Sequence, residues 1–127
     1  MISSVPAVKK PCQFVGSSKE DLSAMPDEAK ELLGYAIFLA QMGEKHRSAK
    51  PLKGFGGAGV LEVVENFDGD TYRAVYTVKF AGVVYVLHAF QKKSKRGSAT
   101  PRHDIQLIKT RLKTAEQDYE ENYRKAG

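Results

Sequence analysis

The spacing of apolar positions changes along the chain, and each change marks an expected element. Residues 11–16, "PCQFVG", read as a short first strand; Pro11 confines it to an edge or to the strand's start, because proline has no N–H to donate. Through "SSKEDLSAMPDEAKELLGYAIFLAQMG" the period becomes helical. Ser18 is the expected N-cap with Asp21 in the first turn, and Pro26 separates a short helix from a longer one that it opens. In the longer helix Ala29, Leu32, Leu33, Ala36, Ile37 and Ala40 recur at helical spacing. They predict a buried stripe, widened by Leu39 and stopped by Gly43 at C′.

Residues 44–59, "EKHRSAKPLKGFGGAG", are loop by composition. Three runs rich in β-branched and aromatic residues follow: "VLEVVENF", "TYRAVYTVKF" and "VVYVLHAF". The hairpin signals "NFDGDT" and "AG" separate them and predict a three-stranded antiparallel meander. In the last segment Ile105, Ile108, Leu112 and Ala115 return to helical spacing, continued by Tyr119 and Tyr123. That helix should begin near Thr100 or Pro101, with Pro101 at N1.

The order β-α-α-β-β-β-α is α+β. It predicts a small antiparallel sheet, made of the meander plus an N-terminal edge strand, packed on N-terminal helices and a C-terminal helix. The helices are expected on one face, with the other left partly open. In the middle strand Tyr72, Ala74, Tyr76, Val78 and Phe80 form the set that wants a core. Thr71, Arg73, Val75, Thr77 and Lys79 form the other, which places Arg73 on the open face. No internal repeat breaks the chain, so 1–127 reads as a single domain, with 1–10 as a disordered start and 117–127 as a helical or frayed tail.

At 127 residues the chain is long enough for a hydrophobic core without disulfides. Its net charge of +5 favours an anionic partner. A single cysteine, Cys12, excludes an intramolecular disulfide and a Cys-based zinc site, and reads as a small core hydrophobe in a reducing compartment. The start lacks the apolar stretch of a signal peptide, and no segment reaches the roughly 18 apolar residues of a membrane helix. A soluble, cytoplasmic protein without membrane partners is the expectation.

Several chemistries lack their residues. No carboxylate pair sits in an apolar setting, and His46, His88 and His103 have no metal-ligand spacing. No metal or cofactor is expected. "GFGGAG" (54–59) precedes a strand and lacks the Lys-Ser/Thr of a phosphate loop, although Lys50 and Lys53 beside it suit contacts to a phosphate backbone. The positive signal is "HAFQKKSKRGSATPRHD", residues 88–104. It ends an apolar strand in a knot of like charge formed by Lys92, Lys93, Lys95 and Arg96. A solvated loop is the plain alternative. With Arg73 on the neighbouring strand, however, the knot converges on one groove.

"KPLKGFGGAGVLEVVE" followed by "DTYRAVYTVKFAGVVYVLHAFQKKSKRGSATPRHDI" resembles the RelE/ParE superfamily of type II toxins, and more closely its phage-derived, HigB-like branch. The likeness spans about Asp21 to Leu112. It rests on a Pro-Leu-x-Gly approach, a strand ending in Glu, a Tyr-Arg-x-x-Tyr strand, and an aliphatic strand closing with Phe-x-Lys-Lys before Thr-Pro. The resemblance implies a toxin that cleaves mRNA, usually in the ribosomal A site, and is silenced by an antitoxin, typically a helix-turn-helix protein. It carries functional roles to Arg73, Lys92, Lys93 and Lys95. Unlike histidine-rich relatives, this chain shows no clear cluster of acid/base histidines; His88 and His103 are the candidates.

Metal-independent cleavage requires deprotonation of the 2′-OH, stabilisation of the phosphorane, and protonation of the 5′-oxygen. The planar, permanently charged fork of Arg73 suits the second task. Crowding of Lys92, Lys93 and Lys95 would lower their pKa values and could ready one as a base. Lys50, Lys53, Lys79, Arg96 and Arg102 are the expected RNA-binding cations. Two other readings stay open: a ParE-like toxin that inhibits DNA gyrase, and a non-catalytic RNA- or antitoxin-binding module.

Overall fold

The computed structural model describes residues 8–56, 59–92 and 99–124. Its elements are β1 (Cys12–Phe14), α1 (Ser18–Ser23), α2 (Asp27–Gln41), β2 (Ala49–Pro51), β3 (Val60–Phe67), β4 (Asp70–Thr77), β5 (Val84–Lys92) and α3 (Arg102–Tyr119). A π-helical turn, Glu120–Arg124, extends α3. The class is α+β, with one sheet in the order β1-β5-β4-β3-β2. Strands β2 to β5 pair antiparallel, whereas β1 lies parallel to β5.

The predicted meander is present as β3, β4 and β5. Its first hairpin is set by Asp68 and Gly69, both at positive φ (53° and 85°), between the paired residues Phe67 and Asp70. Two left-handed residues give the turn whose twist matches the strands it joins. Strand β2 arises inside the segment expected to be loop. Ala49, Lys50 and Pro51 pair with Val63, Glu62 and Leu61, and Pro51 is tolerated because β2 is an edge.

Cap positions differ by one residue from expectation. Ser17, not Ser18, precedes α1; Ser18 is fully buried and its hydroxyl donates to Val86 O at 3.2 Å. Pro101 is the N-cap of α3, so Arg102 takes N1. Gly43 follows α2 at φ 83°, as a C′ residue should. Leu32, expected in the buried stripe of α2, is 37% exposed, while Ala29, Leu33, Ala36, Ile37 and Ala40 are buried.

The larger correction concerns the second sheet face, which is covered. Helices α1 and α2 pack Leu22, Leu33 and Ile37 against Val63, Ala74, Tyr76 and Val86 on one face. On the other, α3 packs Ile108 and Ala115 against Val75, Tyr85 and Leu87. Val83 to Ala89 are all buried, the unbroken apolar run of a strand covered on both sides. Arg73 does lie on the face assigned to it, but α3 packs on that face and Arg73 is only 2% exposed.

A β-bulge sets which β5 side chains join Arg73. Val75 pairs with His88 but Tyr76 pairs with Val86, so Leu87 is an extra residue in β5. Strict alternation would send Leu87 and His88 to opposite faces. The bulge puts both on the α3 face, and Phe90, paired with Arg73, follows.

Candidate functional site

Cross-strand register gathers the site on the α3 face. Lys50 pairs with Glu62, Glu62 with Val75, and Val75 with His88; one pair further along, Arg73 stands beside Phe90. Arg73 and Glu62 are therefore diagonal neighbours, within reach for long side chains. Arg73 Nη1 lies 3.5 Å from Glu62 Oε2 and 3.4 Å from Thr100 Oγ1. The Thr100 hydroxyl in turn donates to Glu62 Oε2 at 2.6 Å.

This triad lines a cleft of about 530 Å³ whose other walls include Lys50, Lys53, Leu52 and Ile105. A guanidinium buried to this degree needs compensating charge, and Glu62 supplies it. The contacts of Arg73 to Glu62 and Thr100 are long, at the weak end of hydrogen-bond geometry. A phosphate could replace them with shorter, charge-assisted bonds.

A second cluster adjoins the first through Phe90. The rings of His88 and Phe90 stack at 4.5 Å, and His88 Nε2 lies 2.7 Å from Asp104 Oδ1. The Asp104 carboxyl group is buried and occupies N3 of α3, where the helix dipole favours an anion. The other carboxylate oxygen takes His103 Nε2 at 3.3 Å. His103 is exposed, whereas His88 is buried and its Nδ1 has no hydrogen-bond partner among the described residues. The structure thus joins the two histidines through one carboxylate.

Among the expected RNA-binding cations, Lys50 and Lys53 line the cleft and are exposed. Arg102 is exposed at the start of α3, three residues before cleft-lining Ile105. Lys92 lies at the end of β5 with Nζ donating to Ala99 O at 2.8 Å. Lys79 is not brought to the cleft. It pairs with Glu116 at 3.2 Å, about 16 Å along α3 from Ile105. Lys93, Lys95 and Arg96 lie outside the described residues.

Of three further site residues, Glu62 is expected from the sequence, with Glu65 as the alternative, as an ion-pair partner of Arg73 across the ladder, whereas Thr100 and Asp104 carry no role in it. Glu62 is legible as the polar position in "VLEVV", facing the same way as Arg73 once β3 and β4 pair. Thr100 and Asp104 give no signal, because their place depends on how α3 docks.

Cys12 is half-buried, and burial pushes its thiol up to about 11, partly offset by Lys9. That opposes a nucleophilic role. Among the described residues no three His, Cys, Asp or Glu side chains gather as a metal site would require, and no helix is long and apolar enough to cross a membrane.

A search of curated proteins found no match. Among solved structures the chain is similar to one from the toxin–antitoxin complex RelBE2 of Mycobacterium tuberculosis, with 21% identity and a TM-score of 0.47. That similarity covers 67% of this chain and 100% of the other. A family model described as "Phage derived protein Gp49-like (DUF891)" matches residues 20–113, from α1 through most of α3. With well over half of its length matched, the chain belongs to the Gp49-like family of phage-derived proteins.

Proposed function

We propose that this protein is the toxin of a type II toxin–antitoxin pair, and that it cleaves mRNA on the ribosome. The observation that carries the reading is the cleft in which Arg73 meets Glu62 and Thr100 under Lys50 and Lys53. A phosphodiester entering between the lysines would meet Arg73, whose fork matches two non-bridging oxygens. As the phosphate takes over Arg73, Glu62 loses its cation and becomes a stronger proton acceptor, suited to deprotonate the 2′-OH. His103, exposed and linked to Asp104, is the candidate donor to the 5′-oxygen.

Electrostatic stabilisation of the phosphorane would be the largest contribution, because Arg73 acts from a water-poor site. The ribosome would add positioning by holding the codon in a near-attack geometry. Lys92, Lys93, Lys95, Arg96 and Arg102 would hold the flanking backbone, a cytoplasmic role. A helix-turn-helix antitoxin would silence the protein by covering the cleft or distorting it.

Primer extension in a reconstituted translation reaction tests this, comparing wild type with Arg73→Ala, Arg73→Lys, Glu62→Gln and Lys92→Ala/Lys93→Ala, with and without ribosomes. The expected result is cuts at A-site codons that disappear in Arg73→Ala and fall by about 100-fold or more in Glu62→Gln. Folded, antitoxin-free wild type that leaves mRNA intact would overturn the proposal. Inhibition of DNA supercoiling by that same protein would then favour the gyrase reading.

A further inference from the structure

Helix α2 turns its buried stripe to the sheet, yet its outer face is not polar. Tyr35 is 53% exposed, Phe38 41% and Leu32 37%. These are one surface: Tyr35 stacks with Phe38 at 6.4 Å, His46 meets Tyr35 edge-on at 5.9 Å, and Lys9 Nζ lies over the Phe38 ring at 5.5 Å. Contiguous exposed aromatics on a small soluble domain generally mark a contact surface. Gly34, inside the same helix, adds to this. A Cβ there would meet nothing within 4 Å in this chain, so no internal contact explains a residue that weakens a helix.

Charge along this face is ordered. Exposed Glu28 and Glu31 stand at its N-terminal end; at its C-terminal end exposed Lys9 lies over Phe38, while exposed Lys45 adjoins exposed Glu44. Turned end for end on a second copy, this surface sets apolar middle on apolar middle and brings Lys9 of each copy towards Glu31 of the other. That is the requirement of a two-fold, isologous interface. We propose that two copies of this chain associate through antiparallel α2 helices, with the axis at Tyr35.

Helical spacing then sets Phe38 against the partner copy's Leu32, Leu39 against its Glu31 and Met42 against its Glu28. Lys9, carried on Phe38, comes opposite Glu31 of the other copy. The gap above Gly34 admits a ring from across the axis. Because α2 covers the sheet face opposite α3, both Arg73 clefts stay open in such a dimer. The inference is independent of the nuclease reading. A single helix pair is a small interface, so the dissociation constant should be on the order of 10 to 100 micromolar.

Sedimentation equilibrium on the full chain, from about 1 to about 500 micromolar, reads the association directly. Glu31→Lys alone should weaken it about tenfold or more by opposing Lys9, and Lys9→Glu alone should do the same by opposing Glu31. Mixed in equal amounts, the two variants should recover a heterodimer, since each Lys then faces a Glu. Both substitutions are exposed, and circular dichroism with thermal melts checks that each variant stays folded. A wild type that is monomeric throughout, or a dimer indifferent to these variants and to Phe38→Ala, would overturn the proposal. Failure of the mixture to associate while wild type does would overturn the antiparallel arrangement.

Discussion

His88 Nε2 and Asp104 Oδ1 sit 2.7 Å apart with both side chains buried, joining a bulged strand to the first turn of a helix sixteen residues later. Neither residue is where a simple pattern would put it. The Leu87 bulge is what delivers His88 to the α3 face, and the carboxylate at N3 then fixes the start of the helix against the strand.

Removing that carboxylate should therefore loosen α3 from the sheet. Asp104→Ala leaves a buried imidazole without its partner and the helix without its N-terminal anion. The expected loss is about 1–3 kcal/mol. Asp104→Asn keeps an acceptor for Nε2 and should lose less. Urea denaturation of the three proteins checks this, and equal midpoints would show that the pair contributes nothing to stability.

Arg73 and Glu62 should be energetically coupled. Glu62→Leu alone leaves the guanidinium buried beside an apolar group, which should cost about 3 kcal/mol or more. Glu62→Leu/Arg73→Met removes both charges and should be less destabilised than the Glu62 single variant. A double-mutant cycle from denaturant midpoints measures this, and strict additivity would mean that the 3.5 Å contact carries no interaction. Activity should be absent from the double variant even where stability recovers, which separates the chemical role from the structural one.

How far the sequence carried this architecture follows from the range of the forces involved. Local signals were reliable. The Asp68–Gly69 turn, the Pro26 opening of α2, the Gly43 stop and the three long strands all depend on residues within a few positions of each other. The face of Arg73 was also legible, because alternation with Tyr72 and Ala74 sets it. Its burial was not. "TYRAVYT" alternates as a half-exposed strand does, and only the docking of α3, a contact between distant segments, shows that the polar set is covered. Strand β2 is not legible, because its pairing with β3 outweighs the poor strand propensity of "AKP". The bulge is not legible either, because nothing in "VYVLHAF" distinguishes Leu87 as the extra residue.

Alkaline titration should expose the environment of Cys12. Its thiol is pushed up to about 11 from an ordinary 9.0, mainly by burial. Between those values the unfolded chain releases a proton that the folded chain keeps, so folding stability contributed by this group falls as pH rises. Below pH 9 the effect vanishes, since the thiol is protonated in both states. Denaturation midpoints should decline more steeply across that window in wild type than in Cys12→Ala. Alkylation by iodoacetamide at neutral pH should also be slower in the folded protein than in urea. An unchanged slope in the alanine variant would contradict the assignment.

The lysines separate a charged surface from a nucleic-acid track. Lys50 and Lys53 line the Arg73 cleft, whereas Lys79 sits against Glu116 near the far end of α3. If single-stranded RNA runs through the cleft, Lys50→Ala and Lys53→Ala should each weaken binding, and each should flatten the log–log salt dependence by about 0.7. Lys79→Ala should leave affinity and slope unchanged within error, although it removes the same formal charge. Fluorescence anisotropy with a short uncleavable 2′-deoxy oligonucleotide, titrated at several salt concentrations, reads both quantities. Equal losses for all three lysines would reduce their role to net charge, because a general electrostatic field does not distinguish positions around the surface. Loss confined to Lys50 and Lys53 would tie affinity to the floor where Arg73, Glu62 and Thr100 meet.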